Sequence, residues 1–108
     1  MDGMYLEKGV MAEPYPAGVG DEVRVVYSGP LVQAGADKIY LHMGYGSNQE
    51  WTDVKDYEMY RTPRGWETTF KVHRGGQLNF CFRDRYNTWD NNDGHNWTYP
   101  IDSKRFNY

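Results

Sequence analysis

Apolar and polar residues alternate in short bursts along most of this chain, and that period constrains the fold more than any other feature. EVRVVYS places Val23, Val25 and Tyr27 on one face, and KIYLHMG does the same with residues 39, 41 and 43. The period recurs in WETTFKV, LNFCFR and WTYPI, and more weakly around residues 57–61. A period of two is typical of a strand with one buried face, and no window of a dozen residues has helical spacing.

Turn residues separate the bursts, as in SGP, TPRG and HRGG. Short strands with regular turn signals predict an all-β fold, namely an immunoglobulin-like antiparallel β-sandwich of about seven short strands. A chain of 108 residues is about the size of one domain. We therefore expect residues 1–20 to be a partly ordered N-terminal leader and residues 21–108 to form a single β-sandwich domain.

Charge and hydropathy exclude several kinds of partner. Twelve Lys and Arg against fifteen Asp and Glu give a net charge of −3, with no run of like charge, so neither nucleic acid nor an anionic membrane is expected to bind. No apolar run has the length of a membrane span, and the N-terminus lacks the pattern of a signal peptide. The location stays unknown: cytoplasmic if the chain is complete, and extracellular if it is excised from a secreted enzyme.

The strand phases divide the four tryptophans into two pairs. Trp66 and Trp97 are in step with the inward positions of their strands, which favours a place in the core. Trp51 and Trp89 lie in polar, glycine-containing connections, GYGSNQEWTD and DRYNTWDNNDGHN. Long connections in compact domains are often binding loops, although each ring might equally fold back as a cover over one end of the sandwich.

His42 is out of step with its inward neighbours in IYLHM. Its imidazole is therefore expected to face solvent or a ligand, just before the segment that carries Trp51. A surface histidine without function has the same pattern, so the position alone does not decide between the two.

The patterns of catalytic and metal sites are absent from the sequence. Asp90 and Asp93 lie in an open loop without the burial that separates an acid from a base, and a calcium loop with Gly94 at its glycine position would place tryptophan and proline at ligand positions. The three histidines lack zinc spacing, and no serine lies in a nucleophile elbow. Cys81 has the setting of an unreactive strand residue. We expect no enzyme activity, no metal and no cofactor.

Exposed indoles beside amides and carboxylates suit a neutral, polyhydroxylated ligand. The C–H face of a sugar ring can cover an indole, while its hydroxyl groups need both donors and acceptors. Asparagine supplies both in one side chain.

LHMG followed by Trp51, then GWETTF and LNFCFRDRYNTWDNNDGHNW, resembles the family 25 carbohydrate-binding modules and their relatives in plant starch synthases. The similarity runs from about residue 22 to residue 101, and WDNN at residues 89–92 is its most specific element. The resemblance implies that Trp51 and Trp89 are the sugar platforms and that His42 faces the ligand. Within the WDNN loop we expect Asn91 and Asp93 to lie nearer the ligand, although asparagine also serves tight turns.

The resemblance implies a non-catalytic module that binds α-1,4-glucans, namely starch, glycogen and maltooligosaccharides. Such a module would belong to, or work beside, a glucan-active enzyme. The alternative is an immunoglobulin-like protein-interaction domain whose exposed rings bind a protein partner.

Overall fold

The structure is a computed structural model that describes residues 3–102. It has ten strands and one short helix. In chain order these are β1 (Met4–Leu6), β2 (Val10–Glu13), β3 (Glu22–Tyr27), α1 (Pro30–Gln33), β4 (Ile39–Ser47), β5 (Glu50–Glu58), β6 (Tyr60–Thr62), β7 (Gly65–Lys71), β8 (Gln77–Asp84), β9 (Trp89–Asp90) and β10 (Trp97–Pro100).

The strands form two antiparallel sheets that pack face to face. The first sheet has the order β1-β2-β3-β7-β6, and the second has the order β10-β8-β4-β5, with β9 paired to β8. The inward residues of β4, Ile39, Leu41 and Met43, are at most 1% exposed. Val23, Val25 and Tyr27 of β3 are buried to the same degree. The predicted all-β sandwich and the phases of these two strands are confirmed.

Alternation does not predict four of the strands, namely β1, β2, β5 and β9. The two residues of β9 are too few to show a period, and β1 and β2 lie in the segment expected to be a partly ordered leader. There β2 pairs with β3, and Val10 and Ala12 are buried in the core. The division of the chain at residue 20 stays a prediction, and the outer ends of both predicted segments, residues 1–2 and 103–108, lie outside the described residues.

The sequence prediction for Trp51 is wrong in its local structure. The polar connection expected around this residue is instead a tight hairpin turn followed by β5, which begins at Glu50. Strand β5 is an edge strand whose side chains are mostly exposed, so selection for burial does not produce alternation there. A bulge at Asp53, where φ is 52°, further interrupts the period opposite Gly44.

The only helix in the described part of the chain is α1, which has four residues. Within residues 3–102, no helix has the length and apolar character needed to cross a membrane.

Trp66 and Trp97 lie in the core, as the strand phases predict, with 5% and 2% of their surface exposed. The indole of Trp97 stacks on Phe80 at a centroid distance of 6.3 Å and meets Phe82 edge-on at 5.2 Å. Its Nε1 donates a hydrogen bond of 2.9 Å to the carbonyl oxygen of Glu7, which joins β10 to the β1–β2 turn.

We expect Trp97→Ala to lower the free energy of unfolding by about 3–5 kcal/mol, because it leaves a cavity between the sheets. Trp97→Phe keeps most of the ring and loses mainly the N–H bond, so it should cost about 1–2 kcal/mol. Urea unfolding followed by circular dichroism measures both. A loss below about 1 kcal/mol for the alanine variant would contradict the core assignment.

Candidate functional site

His42 lies between two indoles on the outer face of the second sheet. The inward side chains of β4 leave His42 pointing outward, as its phase predicts. Its ring centroid is 5.6 Å from that of Trp51, with the planes tilted by 32°, and 5.1 Å from that of Trp89, at 80°. The structure therefore brings three of the five predicted site residues together, and we call His42, Trp51 and Trp89 the ring cluster.

A glycine makes room for the Trp51 indole. Trp51 is paired with Gly46, and its ring lies over Gly44, where an added Cβ would be 3.0 Å from both Cβ and Cε3 of the tryptophan. The indole Nε1 donates a hydrogen bond of 2.9 Å to the carbonyl oxygen of Asn48. Its one N–H is therefore engaged by the protein, and the remaining open surface of this partly exposed ring is apolar.

Trp89 reaches the ring cluster from the opposite end of the sheet. The carboxylate of Asp84 accepts hydrogen bonds of 2.8 Å from the backbone N–H groups of Tyr86 and Thr88, which turns the chain back along β8. The residue was expected in a polar, glycine-containing connection; it lies instead in the two-residue strand β9, paired with Arg83. At 46% exposed, its ring is the most open of the four tryptophans, all of which are described.

A charged pair holds the imidazole of His42 in place. Nδ1 of His42 lies 2.5 Å from Oδ1 of Asp56, and Arg83 donates to Oδ2 of the same carboxylate at 2.8 Å. Partial burial acts to raise the pKa of Asp56, but the hydrogen bonds from His42 and Arg83 outweigh burial and hold the pKa below its usual range. The ionised carboxylate accepts from Nδ1–H, so in the neutral imidazole Nε2 is an acceptor.

Asn48 is a residue that the sequence interpretation missed, and it joins the turn that holds Trp51 to residues 95 and 96. Its Nδ2 donates to the carbonyl oxygen of His95 at 2.8 Å, and its Oδ1 accepts from Nδ2 of Asn96 at 3.1 Å. Its own carbonyl oxygen accepts from the Trp51 indole. The SNQ turn marks a hairpin in the sequence, but no local signal reveals a partner almost fifty residues away.

Asn91 and Asp93, the other two predicted site residues, form their contacts outside the ring cluster. Oδ1 of Asn91 accepts from the backbone N–H of Gly94 at 3.0 Å, and Asp93 forms an ion pair with Lys8 in the β1–β2 turn. The side chain of Asp93 is 82% exposed. A ligand contact for either residue stays a prediction.

The remaining two residues of the WDNN loop support the fold. Asp90 accepts a hydrogen bond of 2.7 Å from the hydroxyl of Tyr27, and burial followed by this bond raises the pKa of Tyr27 above its ordinary value. Asn92 is 3% exposed, has a φ of 59°, and donates 3.0 Å bonds to Glu7 and Asn96. The structural use of asparagine considered for this loop is thus found at Asn92.

In the part of the chain that the structure describes, neither a metal-binding group of side chains nor a reactive thiol is found. Among residues 3–102, no three His, Cys, Asp or Glu side chains are grouped to hold a metal ion. Burial raises the pKa of the Cys81 thiol to about 12, so the thiol stays protonated and weakly nucleophilic.

Comparison with known proteins identifies the class of protein to which this chain belongs. The model of the starch/carbohydrate-binding module family 53 matches residues 23–80, more than half of the chain. The chain is therefore a carbohydrate-binding module and belongs to family 53 of the starch-binding modules. The class predicted by resemblance, a starch-binding module, is confirmed. The match is to family 53, so the narrower resemblance to family 25 is not supported by it.

The chain is also similar to an alpha-amylase of Clostridium acetobutylicum, with 30% identity over 95 residues. The similarity covers 81% of this chain but 11% of the amylase, so the chain corresponds to a small part of that enzyme. No solved structure matches.

The hydrogen bonds of Asp56 with His42 and Arg83 give a prediction about pH dependence. Because the pKa of Asp56 is lower in the folded state than in the unfolded chain, ionised Asp56 stabilises the fold above its unfolded pKa of about 3.9, and this contribution is lost as pH falls through the folded pKa. We expect Arg83→Gln to raise the pKa of Asp56 toward its unfolded value, as measured by carboxyl ¹³C NMR titration.

Arg74→Gln is the matched control, since Arg74 bonds Asp53 and not Asp56. An Asp56 pKa that moves equally in both variants would contradict the assigned ion pair.

Proposed function

We propose that the outer face of the second sheet binds α-1,4-glucans of the starch and glycogen type without catalysing a reaction. The observation that carries the proposal is the ring cluster, in which two indoles of different tilt flank one imidazole. Because the planes of Trp51 and Trp89 lie 32° and 80° from that of His42, the two indoles cannot be parallel. An α-1,4 chain curves and offers successive sugar faces at an angle, whereas a β-1,4 chain is nearly flat.

The chemistry of the ring cluster fits sugar better than a charged ligand. The Trp51 N–H is already bonded, so the open surface of this indole is apolar, and the exposed ring of Trp89 offers a second face for the C–H groups of a sugar ring. Nε2 of His42 has no hydrogen-bond partner among residues 3–102 and can accept from a sugar hydroxyl. Covering about 100 Å² of each indole would contribute about 2–3 kcal/mol before the cost of ordering the ligand.

Membership of a starch-binding family supports the ligand class, and the similarity to part of an amylase supports a place beside a glucan-active enzyme. On this proposal the module holds such an enzyme on its polymer. An open face that binds a heavily hydrated ligand should bind weakly, with dissociation constants from about millimolar to micromolar. A relation to the family 25 modules is part of the same proposal and rests on the motifs alone.

We expect Trp89→Ala to weaken binding to maltohexaose and granular starch by about 2 kcal/mol, or about thirtyfold, with little change in stability, because the ring is largely exposed. Isothermal titration and starch pull-down measure the loss. Tyr60→Ala is the matched control, since Tyr60 is 62% exposed on the edge strand of the other sheet.

Equal loss in both variants, or none in either, would contradict a platform role for Trp89. A wild-type protein that stays in the supernatant with starch would overturn the glucan proposal and favour a protein-interaction domain.

A further inference from the structure

The outer face of the first sheet, on the opposite side of the sandwich, carries a groove of ≈ 290 Å³. Tyr5, Met11 and Val26 are paired in register across β1, β2 and β3, so their side chains form one row on this face. Tyr5 stands at the edge of the groove and is 83% exposed, more than any other large hydrophobic side chain in residues 3–102. Tyr5 stands at one end of the row, and no other ring among residues 3–102 stacks on it.

The charged side chains beside the row compensate one another. Val26 is paired with Glu67, whose carboxylate accepts from Nε of Arg64 at 3.0 Å, and Nη2 of Arg64 donates to Glu13 at 2.7 Å. Hydrogen bonds from Arg64 hold the pKa values of Glu13 and Glu67 below their usual range, so both carboxyls are ionised. Arg24 lies 3.6 Å from Glu13 and balances the second carboxylate. Two positive and two negative charges leave little attraction for an ion.

Some hydrogen-bonding groups nevertheless remain available beside the apolar side chains that line the groove. A guanidinium has five N–H groups, and the bonds to Glu13 and Glu67 engage three of those of Arg64, whose side chain is 43% exposed. Ser28 also lines the groove, and its hydroxyl, which donates to the carbonyl oxygen of Gly9 at 3.4 Å, can still accept a hydrogen bond. An exposed ring, apolar side chains beside it and hydrogen-bonding groups whose charge is compensated suit the same ligand class as the ring cluster.

We propose that this groove is a second glucan-binding site, in which one sugar covers the ring of Tyr5 and its hydroxyls bond Arg64 and Ser28. The ligand class rests on the proposed function, whereas the residues are independent of the ring cluster. The site is weaker than the first because it has one phenol ring in place of two indoles.

Two sites on opposite faces give the module a second property. Packed sheets lie about 10 Å apart, and the outer side chains add to that separation, so a short oligosaccharide cannot occupy both sites. Each module therefore binds two glucan chains, or two distant parts of one chain, and can bridge them. On a granule the second contact raises the apparent affinity without any change in the first.

Titration of NMR spectra with maltohexaose tests the proposal on three proteins: wild type, Tyr5→Ala, and the double variant Trp51→Ala/Trp89→Ala. We expect wild type to show two sets of shifting signals, one around His42 and one around Met11 and Val26, with separate binding curves. Tyr5→Ala should weaken the second set at least tenfold and leave the first unchanged. The double variant should do the reverse.

The outcomes separate this inference from the proposed function. Shifts confined to the surroundings of His42, unchanged in Tyr5→Ala, would overturn the second site and leave the proposed function intact. Shifts confined to the Met11 and Val26 region would support the groove and overturn the ring cluster. No shifts in wild type would overturn both. Since Tyr5 is exposed, Tyr5→Ala should keep the wild-type circular dichroism spectrum, and its unaltered first set of signals verifies the fold.

Discussion

Strand β4 lies between β8 and β5, and its pairing with both determines what the second sheet presents to solvent. Burial of Ile39, Leu41 and Met43 forces His42 and Gly44 to the outside, because successive side chains of a strand point to opposite faces. The imidazole then stands at the centre of the outer face, and the glycine beside it leaves space for an indole. Core formation thereby sets the positions of both features.

Two hairpin-like returns then bring tryptophans to that centre from opposite ends of the sheet. The β4–β5 turn carries Trp51 back over Gly44, and the turn held by Asp84 carries Trp89 back along β8. Asn48 ties the first return to the segment that follows the second. These backbone connections bring the two indoles to His42, and we connect their different tilts with the curvature of an α-glucan.

The sequence predicted the parts of this molecule in which burial imposes a period. The inward residues of β3 and β4, the core positions of Trp66 and Trp97, and the outward direction of His42 all follow from alternation. Edge and very short strands, such as β5 and β9, have no such period, so the local structure around Trp51 and Trp89 was not predictable. The Asn48 contacts and the ion pair of Asp93 with Lys8 are long-range and leave no trace in local sequence.

The most direct test of the account follows the four indole N–H signals by NMR while maltohexaose is added, and again with cellohexaose. The account predicts that maltohexaose shifts the signals of Trp51 and Trp89, that Trp66 and Trp97 barely respond, and that cellohexaose shifts none. Large shifts confined to Trp66 or Trp97 would contradict the placement of the site. Equal responses to both sugars would contradict recognition of a curved chain by the two tilted indoles.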